Sequence, residues 1–318
     1  MEIAIIDSGY DSYIFERELF EKHGFKVKIY PFYAGDPKEK QNFAKDADGI
    51  LLRHTRIDES FLSGMRNLKA IVRYGVGYDN IDIEACSRRG IKVANVQGYA
   101  NHSVSDHAMA LIFACIRALW NTRIQLTHDF GSPPVPDIFE LHEKTLGIIG
   151  IGRIGSVFCK KASPFFNNTV ASDPYKPDSH FKQLMVRKVD LDELLEISDV
   201  ISLHCNLTNE TRHLLSETEF SKMSKRPIII NTSRGEVICE RDLLNALNSN
   251  KIHSVGLDVY ENEPVTEKQA GLINHPRAIC TGHYAWYSYN AAMELQKRAA
   301  LNLYNLLMGN PVDDCLNP

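Results

Sequence analysis

Long apolar runs are missing from this chain, and no stretch reaches the roughly 20 residues that a bilayer-spanning helix requires. The opening Met1-Glu2-Ile3-Ala4-Ile5-Ile6-Asp7 has no basic segment before it, and its apolar run is too short for a secretory signal. An excess of one charge is missing too. A net charge of −4 and a pI near 6.3 give no electrostatic footprint for nucleic acid or an acidic membrane. The seven cysteines (86, 115, 159, 205, 239, 280, 315) are scattered, odd in number and without a CxxC pair. They point to a reduced cytoplasm, and no metal site is expected from them. With no route to a glycosylating compartment, the sequons at Asn101, Asn206 and Asn209 carry no weight. Internal repeats and low-complexity segments are also absent.

What is present centres on residues 144–173. Thr145-Leu146-Gly147-Ile148-Ile149 is short and apolar and reads as a buried strand. Gly150-Ile151-Gly152-Arg153-Ile154-Gly155 comes next, then a helical stretch through Ala162, a second strand Thr169–Ser172, and Asp173. Strand, glycine turn, helix, strand and acid in this order form the dinucleotide-binding fingerprint. Gly150 permits the tight turn, Gly152 lets backbone approach a pyrophosphate, and Gly155 lets the helix pack close to the sheet. The helix begins near Arg153, so its unpaired N–H groups face the phosphates. Asp173 suits the ribose hydroxyls and repels a 2′-phosphate, favouring NAD over NADP, with Lys176 able to soften that preference.

The length of 318 residues suggests about two domains. Before the fingerprint, strands at 2–6, 26–30, 47–52, 68–72 and 91–95 alternate with helices at 12–23 and 58–65, which predicts a parallel sheet. The strand at 68–72 runs into Arg73-Tyr74-Gly75-Val76-Gly77. Its two glycines expose backbone N–H groups, and Arg73 adds a guanidinium that suits a carboxylate. A structural turn with Arg73 in a salt bridge is an equal alternative. Residues 104–127 read as one helix, apolar nearly all round and so buried in a core or against a second subunit. His102 and His107 flank it as core or interface histidines. Gly131–Pro136 is the clearest linker-like stretch. After Asp173, helices at 191–197, 217–223 and 241–248 alternate with strands at 200–204, 228–230, 255–257 and 278–281, and a long helix spans 289–307. Arg234, Asp258, Glu263 and His283 all come after strands, where open parallel sheets place their ligands.

Five motifs in order then carry a resemblance: Tyr74–Asp82, Gly150–Gly155, Asn231–Glu236, Leu257–Pro264 and His283–Ser288. The chain resembles the D-isomer-specific 2-hydroxyacid dehydrogenases, and within them the C-terminal-binding-protein-type branch. The resemblance implies an α/β fold of two Rossmann-like, doubly wound parallel-sheet domains with a cleft between them. Residues 1–98 and 287–318 form the substrate domain and 99–286 the NAD-binding domain. It implies a homodimer through the helix near 101–121, and no appended regulatory domain is expected.

By the same resemblance Arg234, Glu263 and His283 are catalytic. Arg234 grips the carboxylate of a small 2-oxo acid and polarises its carbonyl, assisted by Gly75-Val76-Gly77. His283 gives a proton to the forming alkoxide, or takes it from the 2-hydroxy acid, and Glu263 favours its protonated form. NAD is the cofactor. Its implied contacts are Val76, Gly150, Gly152, Arg153, Ile154, Gly155, Asp173, His204, Cys205, Asn206, Thr211, Thr232, Ser233, Asp258, His283 and Trp286, with Asp258 orienting the carboxamide. The implied substrate contacts are Arg73, Tyr74, Gly75, Val76, Gly77, Arg234 and Trp286. Gly282 stands where many relatives have proline, Trp286 where many have a small residue, and Asn206 where proline is common. Glyoxylate, hydroxypyruvate, phenylpyruvate, branched 2-oxo acids and phosphoglycerate all suit such a scaffold. The alternative is a dimeric NAD(H)-sensing module with little turnover.

Overall fold

Parallel strands need a crossover between them, and helices supply it, so alternating runs predict sheets covered on both faces. The computed structural model describes residues 1–32, 35–128 and 137–318. Gly131–Pro136 lies outside them. Two compact units result, Met1–Ala100 with Ser288–Pro318, and Asn101–Tyr287.

In the first unit β1 (Glu2–Ile5), β2 (Lys26–Ile29), β3 (Gly49–Leu52), β4 (Ala70–Arg73) and β5 (Lys92–Ala94) form one sheet in the order β2-β1-β3-β4-β5. All its pairs are parallel. The C-terminal helix Tyr289–Leu307 starts on Ser288, whose hydroxyl accepts the Ala291 N–H at 3.1 Å. It packs onto this sheet, where Gly49 leaves room for Leu303 and Leu307. The helix Glu59–Ser63 is capped by Asp58, as its sequence predicts, through the Phe61 N–H; such a cap contributes about 1 kcal/mol.

In the second unit β6 (Thr145–Ile149), β7 (Asn168–Ser172), β8 (Arg187–Lys188), β9 (Val200–Leu203), β10 (Ile228–Asn231), β11 (Ser254–Leu257) and β12 (Ala278–Cys280) form the order β12-β11-β10-β9-β6-β7-β8. Every residue of β9, β10 and β11 is buried, as their unbroken apolar runs require. The chain order reverses between β6 and β9, and the glycine turn leaves β6 at that switch point.

Two expectations change. The helix over 104–127 is two helices, Asn101–Ile116 and Leu119–His128, because Ala118 adopts a left-handed φ of 47°. The inner face of the first, with Ala108, Leu111, Ile112 and Cys115, belongs to the unit's own core beside Leu146, Ile148 and Ile230. Helices Pro37–Ala44, Ile83–Arg88 and Asp178–Leu184 and the edge strand β8 are additional. The first is polar and signalled mainly by Asp36, which caps the Lys38 N–H at 2.7 Å. Two exposed charged residues make β8, leaving no alternation to read. Among the described residues, no helix is long and apolar enough to cross a membrane.

Candidate active site

The glycine turn is held from several sides. Gly150 has a φ of 86°, and an added Cβ would lie 2.6 Å from the Cys205 nitrogen. A Cβ on Gly155 would collide with the Gly150 carbonyl, so the helix Arg153–Ala162 starts hard against the turn. Gly152 differs: an added Cβ would meet nothing within 4 Å. The protein's own packing therefore does not demand glycine there, whereas an approaching phosphate does. Arg153 and Ile154 are the first residues of that helix, with Arg153 exposed.

Asp173 directly follows β7 and braces the turn. Its carboxylate accepts the Ile151 N–H at 3.0 Å and the Tyr175 N–H at 3.0 Å. His180, which no sequence motif marks, is a second brace. Its Nε2 lies 2.9 Å from the Ile151 carbonyl and 3.0 Å from the Ser156 hydroxyl. Tyr175 hydrogen-bonds Glu210, linking the Asp173 side to the loop after β9. In that loop the Thr211 hydroxyl donates to the Asn206 carbonyl at 2.6 Å. The His204 ring packs against Phe158, and burial drives its pKa down to about 3, so it is neutral. Its backbone and that of Cys205 border the turn at Gly150, and its Cβ borders Gly155.

At the end of β10, Asn231 is buried and organises the turn up to Arg234. Its side chain accepts the Ser233 N–H at 3.0 Å and donates to the Arg234 carbonyl at 2.9 Å. The neighbouring Thr232 hydroxyl is buried without a hydrogen-bond partner among the described residues. An orphaned buried hydroxyl, an unfilled space over Gly152 and a helix N-terminus are together what a bound dinucleotide satisfies. Arg234 Nη1 donates to the Ser233 carbonyl at 2.7 Å, and Gly235 presses on the Tyr260–Glu261 peptide so closely that any Cβ would collide.

Glu263 and His283 meet. His283 Nδ1 lies 2.6 Å from Glu263 Oε2, and Glu263 Oε1 accepts the Tyr260 N–H at 3.0 Å. Burial alone would raise the Glu263 carboxyl. The hydrogen bond and charge of His283, helped by the Tyr260 N–H and the nearby Arg234 charge, instead hold it below the usual carboxylate value. His283 itself sits at a left-handed φ of 59°, a conformation uncommon outside glycine and favoured at functional sites.

Asp258 explains how that backbone is kept. It is fully buried, and its carboxylate accepts the Thr281 hydroxyl at 2.6 Å and the N–H groups of Tyr284 and Ala285 at 2.8 Å each. Its carbonyl accepts the His283 N–H at 2.8 Å. The carboxylate expected to orient a cofactor carboxamide also fastens the loop carrying His283. His107 joins the network, with Nε2 2.9 Å from the Thr281 hydroxyl and 3.6 Å from Asp258. Neither role has a local signal in the sequence. Trp286 is half-buried, its ring edge-on to Tyr287 at 5.5 Å.

The remaining predicted residues, Arg73–Gly77, lie in the first unit. Gly75 has a φ of 131°, and the Arg73 guanidinium occupies the space its Cβ would fill. The Val76 carbonyl accepts from Asn95 at 2.6 Å, fixing the turn. Tyr74 is 2% exposed and donates its hydroxyl to the buried Glu16 at 2.7 Å, so the turn has its backbone and not its ring. Nearby, Asp7 at the end of β1 is buried with Lys40 at 2.5 Å and accepts the N–H groups of Arg53, His54 and Thr55. Burial works against this carboxylate, yet its hydrogen bonds hold the pKa down to about 2.

Residues 109–285 match the family model described as D-isomer specific 2-hydroxyacid dehydrogenase, NAD binding domain. The chain is 36% identical over 267 residues to a hydroxypyruvate reductase of Thermotoga maritima, covering 83% of this chain and 85% of that one. It is 34% identical over 271 residues to a D-3-phosphoglycerate dehydrogenase of Archaeoglobus fulgidus, covering 85% of this chain and 51% of that one. The chain thus spans about half the length of that second relative. A D-lactate dehydrogenase from Aquifex aeolicus, complexed with NAD and lactic acid, superposes with a TM-score of 0.88 at 26% identity, covering 100% of this chain and 99% of that one.

Proposed function

Since this chain belongs to the D-isomer specific 2-hydroxyacid dehydrogenases, NAD-dependent oxidoreductases acting on CH–OH donors, we propose that Arg234, Glu263 and His283 carry out its reduction of a small 2-oxo acid. The observation that carries this reading is the 2.6 Å bond between His283 Nδ1 and Glu263 Oε2. With Nδ1 engaged, the proton bound for substrate sits on Nε2. Bound NADH would supply the hydride for reduction, and NAD⁺ would accept it in the reverse direction.

The protein's own residues do the rest. The Arg234 fork holds the carboxylate and draws charge onto the carbonyl oxygen. His283 Nε2 protonates that oxygen as it becomes an alkoxide, and Glu263 holds the ring in place through Nδ1. Asp258, Thr281 and His107 act through the loop backbone, which makes them positioning residues. In this reading residues 101–287 are the cofactor domain, and residues 1–100 with 288–318 the substrate domain. Gly152, Arg153, Ile154, Asp173, the loop from His204 to Thr211, Thr232 and Ser233 surround the cofactor. Arg73 and the turn Gly75-Val76-Gly77 are anion holders on the first unit.

The relatives' names suggest hydroxypyruvate and pyruvate, the 2-oxo partner of lactate, as the first acids to try. A panel of 2-oxo acids, followed by NADH absorbance and repeated with NADPH, tests the reading. Turnover with at least one small acid, faster with NADH, is expected; no turnover across the panel would overturn it. A sensing module without turnover has no use for a hydrogen-bonded Glu263–His283 pair and is not favoured.

We also propose a cytoplasmic homodimer. The seven free cysteines support a reduced compartment. The helical region near 101–121 ends in Leu119 and Trp120, both more than half exposed, which supports a partner there.

A further inference from the structure

Behind the loops that carry Arg234 and Glu263, within the same unit, three chemically different donors converge. His213, Cys239 and Glu261 each offer one ligand atom, and these atoms all lie within 4.8 Å of one another. The His213 Nε2 to Glu261 Oε1 distance is 3.0 Å. A tetrahedral zinc ion with nitrogen, sulfur and oxygen ligands at about 2.0–2.3 Å would set its ligand atoms about 3.3–3.8 Å apart. The donors are therefore placed to within about 1 Å of what coordination requires.

Each donor is anchored by its backbone. His213 has a left-handed φ of 51°, and its N–H donates to the Glu236 carbonyl at 2.7 Å. Leu215 and Ile238 form a parallel bridge, and the Cys239 N–H donates to the Leu215 carbonyl at 2.9 Å. Glu261 and Glu240 exchange hydrogen bonds, each carboxylate accepting the other's N–H, at 2.8 and 3.1 Å. An outer partner is present as well. Gln269 holds Glu240, the partner of Glu261, at 3.2 Å. Such second-layer contacts orient ligands in built metal sites. His213 is 46% exposed at its side chain, which leaves an entry path and room for a water as fourth ligand.

We propose that His213, Cys239 and Glu261 form a binding site for a thiophilic divalent cation of the Zn²⁺ class. Thiolate and imidazole together select such an ion over Mg²⁺ or Ca²⁺, which prefer all-oxygen ligands. The ion would have no part in hydride transfer. It would clamp the Tyr260–Glu261 peptide, against which Gly235 packs and from which Tyr260 holds Glu263.

The test is a Co²⁺ titration of the metal-stripped full chain, read by thiolate-to-cobalt absorption in the near ultraviolet. Wild type should bind one equivalent with that band, and Zn²⁺ should displace it. Cys239→Ser should lose the band while keeping its circular dichroism and its turnover without metal. His213→Gln and Glu261→Gln should weaken binding by about tenfold or more. No band in wild type at saturating Co²⁺, or an undiminished band in Cys239→Ser, would overturn the proposal. This readout does not use catalysis, so it stands or falls apart from the assignment of the reaction.

Discussion

The turns that leave β4 and β6 look alike in sequence, each with two glycines one residue apart after a buried strand, yet they use glycine differently. At Gly75 the missing side chain makes room for the protein's own Arg73. At Gly152 the missing side chain faces open space. The first turn is shaped by an internal charge; the second faces open space at Gly152. The same contrast runs through the two units. The first buries charge against itself, as in Asp7 with Lys40 and Glu16 with Tyr74. The second buries Asp258 to hold a loop, and so leaves His283 presented.

The largest effect should come from removing what the second unit presents. His283→Ala and Arg234→Ala are each expected to lower turnover by about 10²–10⁴-fold while NADH binding stays near wild type. Equal loss of NADH binding would mean the residues hold the cofactor site together instead.

In the first unit the matching experiment reads stability. Lys40→Met leaves the Asp7 carboxylate buried without its cation and should destabilise by about 3–5 kcal/mol in denaturant titrations. A change below about 1 kcal/mol would show that the N–H groups of Arg53, His54 and Thr55 satisfy Asp7 by themselves.

The two glycines sharpen the contrast at smaller scale. Gly152→Ala should change stability by no more than about 0.5 kcal/mol, yet weaken NADH about tenfold, or ~1.4 kcal/mol. Gly75→Ala should do the reverse, costing about 1–3 kcal/mol through its strained φ and the displaced Arg73, with NADH affinity kept. Unaltered NADH affinity in Gly152→Ala would remove the case that its space is reserved for a ligand.

The smallest effect is a pH dependence. Because the folded Glu263 carboxyl is held below its usual value, its contribution to stability is fully present above the ordinary carboxylate pKa of about 4.3. It is lost as the pH falls through the depressed value. The thermal midpoints of wild type and Glu263→Gln should therefore differ near neutrality and converge in acid. A constant gap would place the effect outside the Glu263–His283 bond.

Much of the fold is readable because its signals are local. A β-branched run, a glycine turn and an amphipathic helix occupy consecutive residues, and most strand positions can be taken from such runs. Short polar elements escape, since Arg187–Lys188 pairs at a sheet edge without burying anything. The break at Ala118 escapes because an apolar helix pattern continues across it. In the site, Glu263 and His283 are nominated by motif, but their bond depends on a loop that Asp258 fastens from β11. The bracing roles of His180 and His107 stay hidden because a lone histidine has no spacing to read.

By itself the amino-acid order determined the parallel α/β class and the dinucleotide turn, since each is written in neighbouring residues. Only the tertiary structure decided which glycine is needed for packing and which is left open, that Asp258 serves the His283 loop, and that His213, Cys239 and Glu261 meet. Those facts depend on distances between segments far apart in the chain, and only the packing of one strand-end loop on another sets such distances.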